Sequence, residues 1–415
     1  MVVALLVGGT EKLRPDVPIE VGAPVVVMSG DRMSSLGRAI ARYDAEAVLD
    51  LSDEPVLGYR ERMDLAAVTL SAGIPYLGSD FRLDPPIEGP PLGAPTLAVI
   101  GTGKRTGKTA IAGEVARLAA RMGLNPIVVA MGRGGPATPE VAEAGSIDLA
   151  RLLELERAGR HAASDYLEDA LTTGVTTVGA RRAGGGLAGA PWASNVREAA
   201  EVAVARGAGL VILEGSGSAV PPVPWDAGVL VVPVSAPPEY LGGYLGPFRL
   251  LLCDVVVLTM GADPDRGSEN LSALRSHLQR LHGDGRHIVT DFSPVPLADV
   301  QGRRTFFVTT APDAVAERQV RHLESAHGCT VVGWSARLAD RAGLQQDLDE
   351  ADEYDVLLTE LKAAAVDIAC ERALGRGAEV VFVDNRATVM EGDIDLETVL
   401  GPVVEVAMQR GRDRE

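Results

Sequence analysis

The segment Gly101-Thr-Gly-Lys-Arg-Thr-Gly-Lys-Thr109 carries residue types suited to holding a triphosphate. Glycines let the backbone approach phosphate oxygens, and consecutive N–H groups then point inward around them. Lys108 is placed to reach the β- and γ-phosphates, and Thr109 to give its hydroxyl to Mg²⁺. The usual pattern puts its first glycine where Thr102 stands; here that glycine is Gly101, so the loop is one residue longer. Lys104 and Arg105 add two cations beside the γ-phosphate. The chemistry predicted is phosphoryl transfer. Gly101, Thr102, Gly103, Lys104, Arg105, Thr106, Gly107, Lys108 and Thr109 would hold the nucleotide, and Lys108, Lys104 and Arg105 would neutralise charge on the moving phosphoryl group.

Such a loop needs a carboxylate at the end of a neighbouring strand for the metal. Glu214, closing Leu210-Val-Ile-Leu-Glu214-Gly-Ser-Gly, meets that requirement, so Thr109 and Glu214 are the expected metal ligands. Asp165, Glu168 and Asp169 form a second acidic group on a predicted helix, where a solvated face is the competing reading. Two further segments read as turns that pair arginine with glycine: Met131-Gly-Arg133-Gly134-Gly-Pro136 and Gly179-Ala-Arg181-Arg182-Ala-Gly-Gly185-Gly186. Arginine binds phosphate or carboxylate in a fork, and glycine lets backbone N–H groups assist. This is more positive charge than a nucleotide requires. We therefore expect a second, strongly anionic substrate on Arg133, Gly134, Arg181, Arg182, Gly185 and Gly186, with Arg182 also catalytic. Thr359-Glu360-Leu361-Lys362 and Asp384-Asn385-Arg386 follow strands as well. Lys362 is taken as substrate-binding; helix capping and salt bridges are the alternatives for both segments.

These side chains need strand ends and helix starts to position them. The phosphate loop lies between a predicted buried strand, Thr96–Ile100, and a helix, Thr109–Met122. Strands at 126–131, 210–213, 229–234 and 255–260 extend that unit. Residues 1–90 alternate short strands and helices, beginning with a strand predicted buried at Val2–Val7, and end in a Pro/Gly-rich linker from Asp84 to Pro95. A third unit has strands starting at Thr305, Thr330, Val356 and Val380, spaced as repeated βα units require. The predicted class is α/β: an N-terminal unit over 1–90, a parallel-sheet P-loop unit over 95–300 and a C-terminal α/β unit over 302–415.

Composition narrows the function. The formal charge of −18 argues against a general nucleic-acid binder. The first ten residues are too short for a membrane span and lack the charged start of a signal peptide. The three cysteines form no CxxC pair and have no histidine cluster beside them, so neither a disulfide framework nor a zinc site is expected. A cytoplasmic, membrane-independent setting follows.

The long Gly-Thr…Gly-Lys-Thr loop with a distant strand ending in Glu-Gly-Ser-Gly resembles the dethiobiotin synthetase-like branch of P-loop proteins. With Met131–Pro136, Ser164–Ala170, Gly179–Gly189, Glu214–Val223, Thr359–Lys362 and Asp384–Arg386 included, the chain resembles the cyclic 2,3-diphosphoglycerate synthetase family. That resemblance implies an ATP- and Mg²⁺-dependent ligase closing an intramolecular pyrophosphate in 2,3-bisphosphoglycerate, and a homodimer. The rival expectations are a 2-phosphoglycerate kinase, another P-loop kinase or ligase acting on a small acid, or a nucleotide switch.

Overall fold

The computed structural model describes residues 2–7, 22–28, 30–262, 267–283, 286–391 and 394–414. In the N-terminal unit, β1 (Ala4–Leu6) pairs with β2 (Val25–Val27), and α1 (Arg32–Tyr43) follows. Then β3 (Val48–Leu49), α2 (Tyr59–Ser71), β4 (Tyr76–Leu77) and β5 (Arg82–Leu83) complete it, the three strands forming their own small sheet. Ala4 and Leu5 are half-buried rather than buried, and the expected Gly turn at Gly8–Thr10 lies outside the described residues.

The next unit runs β6 (Thr96–Gly101), α3 (Lys108–Arg121), β7 (Pro126–Gly132), β8 (Glu140–Ala142), α4 (Leu149–Arg157), α5 (Asp165–Thr173), β9 (Thr177–Ala183), β10 (Ala193–Ser194) and α6 (Val196–Ala205). It continues through β11 (Leu210–Glu214), β12 (Ala227–Pro233), α7 (Glu239–Gly242), α8 (Gly246–Leu251), β13 (Val255–Thr259), α9 (Gly267–His282) and β14 (Arg286–Pro296). β6, β7, β11, β12 and β13 are buried along their whole length. Parallel strands covered by helices on both faces need such continuous apolar runs.

The last stretch runs β15 (Arg304–Val308), α10 (Asp313–His327), β16 (Thr330–Ser335), α11 (Arg341–Glu350), β17 (Val356–Thr359), a π-helical turn (Ala365–Cys370), α12 (Glu371–Gly375), β18 (Glu379–Val389) and α13 (Leu396–Arg412).

Both halves belong to one sheet, ordered β10-β9-β7-β11-β6-β12-β13-β14-β18-β17-β15-β16, with β8 on β9. The join fixes the position of the site. β14 runs parallel to β13 only as far as Val289, and β18 runs parallel to β17 only as far as Phe382. Beyond those points they pair antiparallel, Thr290–Pro296 against Val389–Val383. The two parallel halves therefore face each other with their carboxyl edges, spanned by this ribbon. Ligands bind at carboxyl edges in open α/β sheets, and here one cleft lies between two of them.

Two boundaries differ from the expected ones. α13, placed by 302–415 in the last unit, touches that unit at β18, where Ala387 and Val389 lie against its core, but packs mainly on the P-loop unit. Its Leu396, Leu400, Val403, Val404 and Ala407 share a core with Leu97, Val99 and Ile111 of the P-loop unit, because those side chains complete the apolar cover of the central sheet. The Pro/Gly segment 84–95 is no free tether either. Leu92 and Ala94 are buried in the sheet's other core, and Arg197 Nη2 donates to Glu88 O at 2.7 Å and Pro90 O at 3.1 Å.

Candidate active site

The phosphate loop joins β6 to the first turn of α3, as strand-loop-helix order dictates. Gly107 has φ +89°, and a Cβ there would stand 2.3 Å from Phe292 Cζ of β14. The connecting ribbon thus packs directly on the loop. Thr259 Oγ1, at the end of β13, donates to Thr106 O at 2.7 Å. Arg105 takes a left-handed conformation, φ 56°, which is costly with a Cβ; it and Lys104 are exposed. Lys108 Nζ donates to Gly103 O at 2.7 Å and Thr106 Oγ1 at 3.2 Å. Burial pushes its ammonium down to about 8, with Glu214 and Asp165 opposing and Arg182 adding to that shift.

The carboxylates come from β11 and α5. Thr109 Oγ1 donates to Glu214 Oε1 at 2.6 Å, so the structure brings the two expected metal ligands together. Glu214 Oε2 and Asp169 Oδ2 are buried and meet no N–H donor among the described residues; the two carboxyls face each other and share a proton when Asp169 is protonated. Burial, then Asp165, pushes Glu214 up to about 7. Burial, then Glu214, raises Asp169 well above the ordinary carboxylate range. Asp165 is open to the cleft, yet protein surrounds the cleft, and lost hydration still raises its carboxyl. The acidic face of α5 is therefore a wall of the site and not a solvated surface. Carboxylate and hydroxyl oxygens gathered in this way suit a hard divalent cation, which would take the place of the shared proton. Among the described residues no three His, Cys, Asp or Glu side chains form a metal cage. A Mg²⁺ shared with nucleotide phosphates needs only one or two carboxylates, and Glu214 with the Thr109 hydroxyl fits that requirement.

The cations divide. Arg181 and Arg182 are not in a turn: β9 includes both, and strand alternation sends them to opposite faces. Arg182 is 3% exposed. Its Nη1 donates to Gly184 O at 2.5 Å, and its Nη2 to Ser216 O at 2.8 Å and Ser216 Oγ at 3.3 Å. Its buried Nε has no partner among the described residues. A Cβ on Gly217 would stand 3.2 Å from Arg182 Nη2 and 3.5 Å from Lys104 Cγ, so the Arg182 guanidinium and the stem of Lys104 border the same turn. Burial, then the nearby Arg133, lowers the Arg182 pKa. Gly185 and Gly186 lie in the exposed loop around the Arg182 guanidinium. Arg181 is exposed on the other face, its Nε donating to Gly135 O at 2.5 Å. Gly134 lines a small cavity of about 60 Å³ beside Asp165 and His161.

From the opposite edge, Lys362 Nζ stands 3.3 Å from Glu168 Oε1. Burial disfavours this ammonium, but Glu168, Glu360 and Asp165 together outweigh it and keep Lys362 charged. Glu168 does not shift symmetrically. It faces one cation and several like charges, and burial dominates, pushing it up to about 8. Glu360 stays ionised despite burial because Lys362, Asn385 and Thr310 stabilise its charge. Thr309 Oγ1 and Asn385 Nδ2 donate to its Oε1 at 3.0 and 2.8 Å, and Thr310 Oγ1 to its Oε2 at 2.8 Å. Asp384 and Arg386, considered for the cleft, instead form an ion network with α3. Arg386 Nε and Nη2 meet Glu114 at 2.7 and 3.2 Å, and Arg117 Nη1 meets Asp384 at 3.1 Å. The i,i+3 spacing of Glu114 and Arg117 was a visible signal for that helix face. Phe292 sits in a stretch with no motif.

Models of one family match three successive stretches. Its N-terminal domain matches residues 1–84, its P-loop domain 96–290 and its C-terminal domain 296–386, all described as cyclic 2,3-diphosphoglycerate synthetase. The chain is 45% identical to the cyclic 2,3-diphosphoglycerate synthetase of Rubrobacter xylanophilus over 100% of this chain and 92% of that one. It is 41% identical to that of Methanothermobacter thermautotrophicus, covering 97% and 89%. A crystal structure of LpxK from Aquifex aeolicus in complex with ATP aligns with a TM-score of 0.44 at 14% identity, over 78% of this chain and 91% of that one.

Proposed function

The chain belongs to the cyclic 2,3-diphosphoglycerate synthetase family, ATP-dependent synthetases with a P-loop domain. From that premise we propose that it joins the two phosphates of 2,3-bisphosphoglycerate into an intramolecular pyrophosphate, with ATP and Mg²⁺, releasing ADP and phosphate. The observation that supports this reading is the turn at Ser216–Gly217. The Arg182 guanidinium and the stem of Lys104, a residue of the nucleotide loop, border that turn, and the buried Arg182 Nε–H has no partner among the described residues. Two anionic molecules can then be held side by side.

In the proposed sequence an oxygen of one substrate phosphate attacks the γ-phosphorus of ATP, and the bond from that phosphorus to ADP breaks. An oxygen of the second substrate phosphate next attacks the substrate phosphorus so activated, and inorganic phosphate leaves. Anions approach anions in both steps, so positioning and charge neutralisation supply the catalysis. Lys108 exchanges its contacts with Gly103 and Thr106 for nucleotide phosphates. Arg182, Lys104, Arg105 and Arg133 hold the acidic substrate; Lys362 orders the α5 carboxylates from across the cleft. Mg²⁺, held by Thr109 and Glu214, would offset phosphate charge. Arg181, Gly134, Gly185 and Gly186 border this region, with Arg181 on the outer face of β9. A cytoplasmic setting accords with three buried free thiols and with the lack, among the described residues, of a helix long and apolar enough to cross a membrane.

ATP turnover measured with and without 2,3-bisphosphoglycerate tests the reading. ADP release should depend on the acid. Equal release without it would support a nucleotide switch instead.

A further inference from the structure

Arg249 lies in α8, 6% exposed, and every hydrogen bond the structure gives it runs to a backbone carbonyl. Nε and Nη2 donate to Ser218 O at 3.1 and 2.7 Å, Nη1 to Leu245 O at 3.0 Å, and Nη2 to Leu187 O at 3.4 Å. Burial pushes its guanidinium down to about 10, and among the described residues no carboxylate pairs with it. A buried cation without a carboxylate is expensive, and an apolar side chain of similar volume is often the more stable choice. Keeping one here calls for a role beyond packing.

That role lies in what Arg249 bridges. Arg182 ties Gly184 O to Ser216 O. Arg249 ties Leu187 O to Ser218 O, the far ends of the same two segments. Two arginines thus fasten the β9–β10 loop to the turn after β11, one at each end. Gly189, at φ +88°, closes the contact: a Cβ there would stand 2.8 Å from Ser218 O and 3.1 Å from Arg249 Nη2. Val220 N also donates to Gly189 O at 2.9 Å. The helix carrying Arg249 is backed by the N-terminal unit, since Leu245 and Phe248 share a core with Leu57, Leu65 and Leu70.

We propose that Arg249 is a positioning residue for the acidic substrate, locking the Gly184–Gly189 loop onto the Ser216–Ser218 turn so that Arg182 and Lys104 converge, with the N-terminal unit as the buttress of its helix. This rests on the reading that these loops take the acid. The stakes are geometric. If the far end of the pair loosens, Arg182 loses the fixed frame that aims its Nε–H, while the nucleotide loop on α3 is untouched.

Arg249→Lys and Arg249→Met test it, with Gly189→Ala disturbing the same contact from the other side. A single ammonium cannot span carbonyls that a forked guanidinium reaches together. Amide hydrogen exchange of the unliganded proteins should quicken about tenfold in segments 184–192 and 216–220, and stay unchanged in 101–109. The KM for 2,3-bisphosphoglycerate should rise about tenfold in Arg249→Lys and Gly189→Ala, with the KM for ATP within about twofold. Unchanged exchange in both segments overturns the proposal. A parallel rise in both KM values overturns it too, because that is general structural damage. If the wild-type enzyme makes no cyclic product, the substrate reading fails, and the exchange comparison still decides whether Arg249 locks the loops.

Discussion

Glu168 and Lys362 show how closely charge is set in this cleft. Glu168 titrates near 8 against an ordinary 4.5. A carboxyl whose folded pKa is raised keeps its proton where the unfolded chain has lost it. Its contribution to stability is full below about pH 4.5 and disappears as pH rises through about 8. The ligand-free protein should therefore lose stability between those limits, by on the order of a few kcal/mol from this group. Glu168→Gln cannot titrate, so its urea-unfolding free energy should fall less steeply over the same range. Equal slopes in the two proteins would contradict the assignment. Lys108 and Glu214 were legible in the sequence because a phosphate loop and its strand-end carboxylate are local patterns. Asp169 stood out only as one of three acidic residues on a predicted helix; its burial beside Glu214 was not legible, because it depends on what packs above that helix. Arg249 left only a faint signal, one basic residue inside the apolar run Gly-Pro-Phe-Arg-Leu-Leu-Leu252.

Among the elements, the ribbon of β14 and β18 governs the site, and it was the least legible. Asp291, Ser293, Pro294 and Pro296 break the apolar run that marks a buried strand. β9 escaped for a related reason: it ends in two arginines flanked by glycines, which reads as a turn. The ribbon's contact with the phosphate-loop helix is both apolar, through Phe292, Ala387 and Val389, and ionic. Glu114 receives Arg386 and Arg117, and Arg117 also meets Asp384. Glu114 stays ionised although buried, because the two arginines outweigh its lost hydration. A double-mutant cycle of Glu114→Ala and Arg386→Ala should give a coupling of about 1–2 kcal/mol, below a fully buried pair because Arg386 is partly solvated. Additive losses would mean that the ribbon and α3 are held together by packing alone.

Across the whole molecule, the α/β class and its parallel sheets were readable from βα spacing, whereas the return of α13 was not. A terminal helix following the last unit reads as part of it, and only tertiary packing sends Leu400, Val403 and Val404 to the P-loop core. Each such side chain contributes roughly 1.5–3 kcal/mol of burial against a net stability of about 5–15 kcal/mol. A chain ending at Asp395 should therefore fail to give a soluble, cooperatively unfolding protein by gel filtration and thermal denaturation; a well-behaved truncated protein would contradict that packing. With its three units assembled, the molecule presents two carboxyl edges to a single cleft, one holding the nucleotide loop and the other Lys362. In the proposed reaction that cleft is where the two substrate phosphates are joined. Phosphorus NMR after incubation with ATP, Mg²⁺ and 2,3-bisphosphoglycerate should show the paired resonances of a cyclic pyrophosphate growing with ADP and inorganic phosphate in equal amounts. Unchanged 2,3-bisphosphoglycerate, with or without ATP loss, would contradict it.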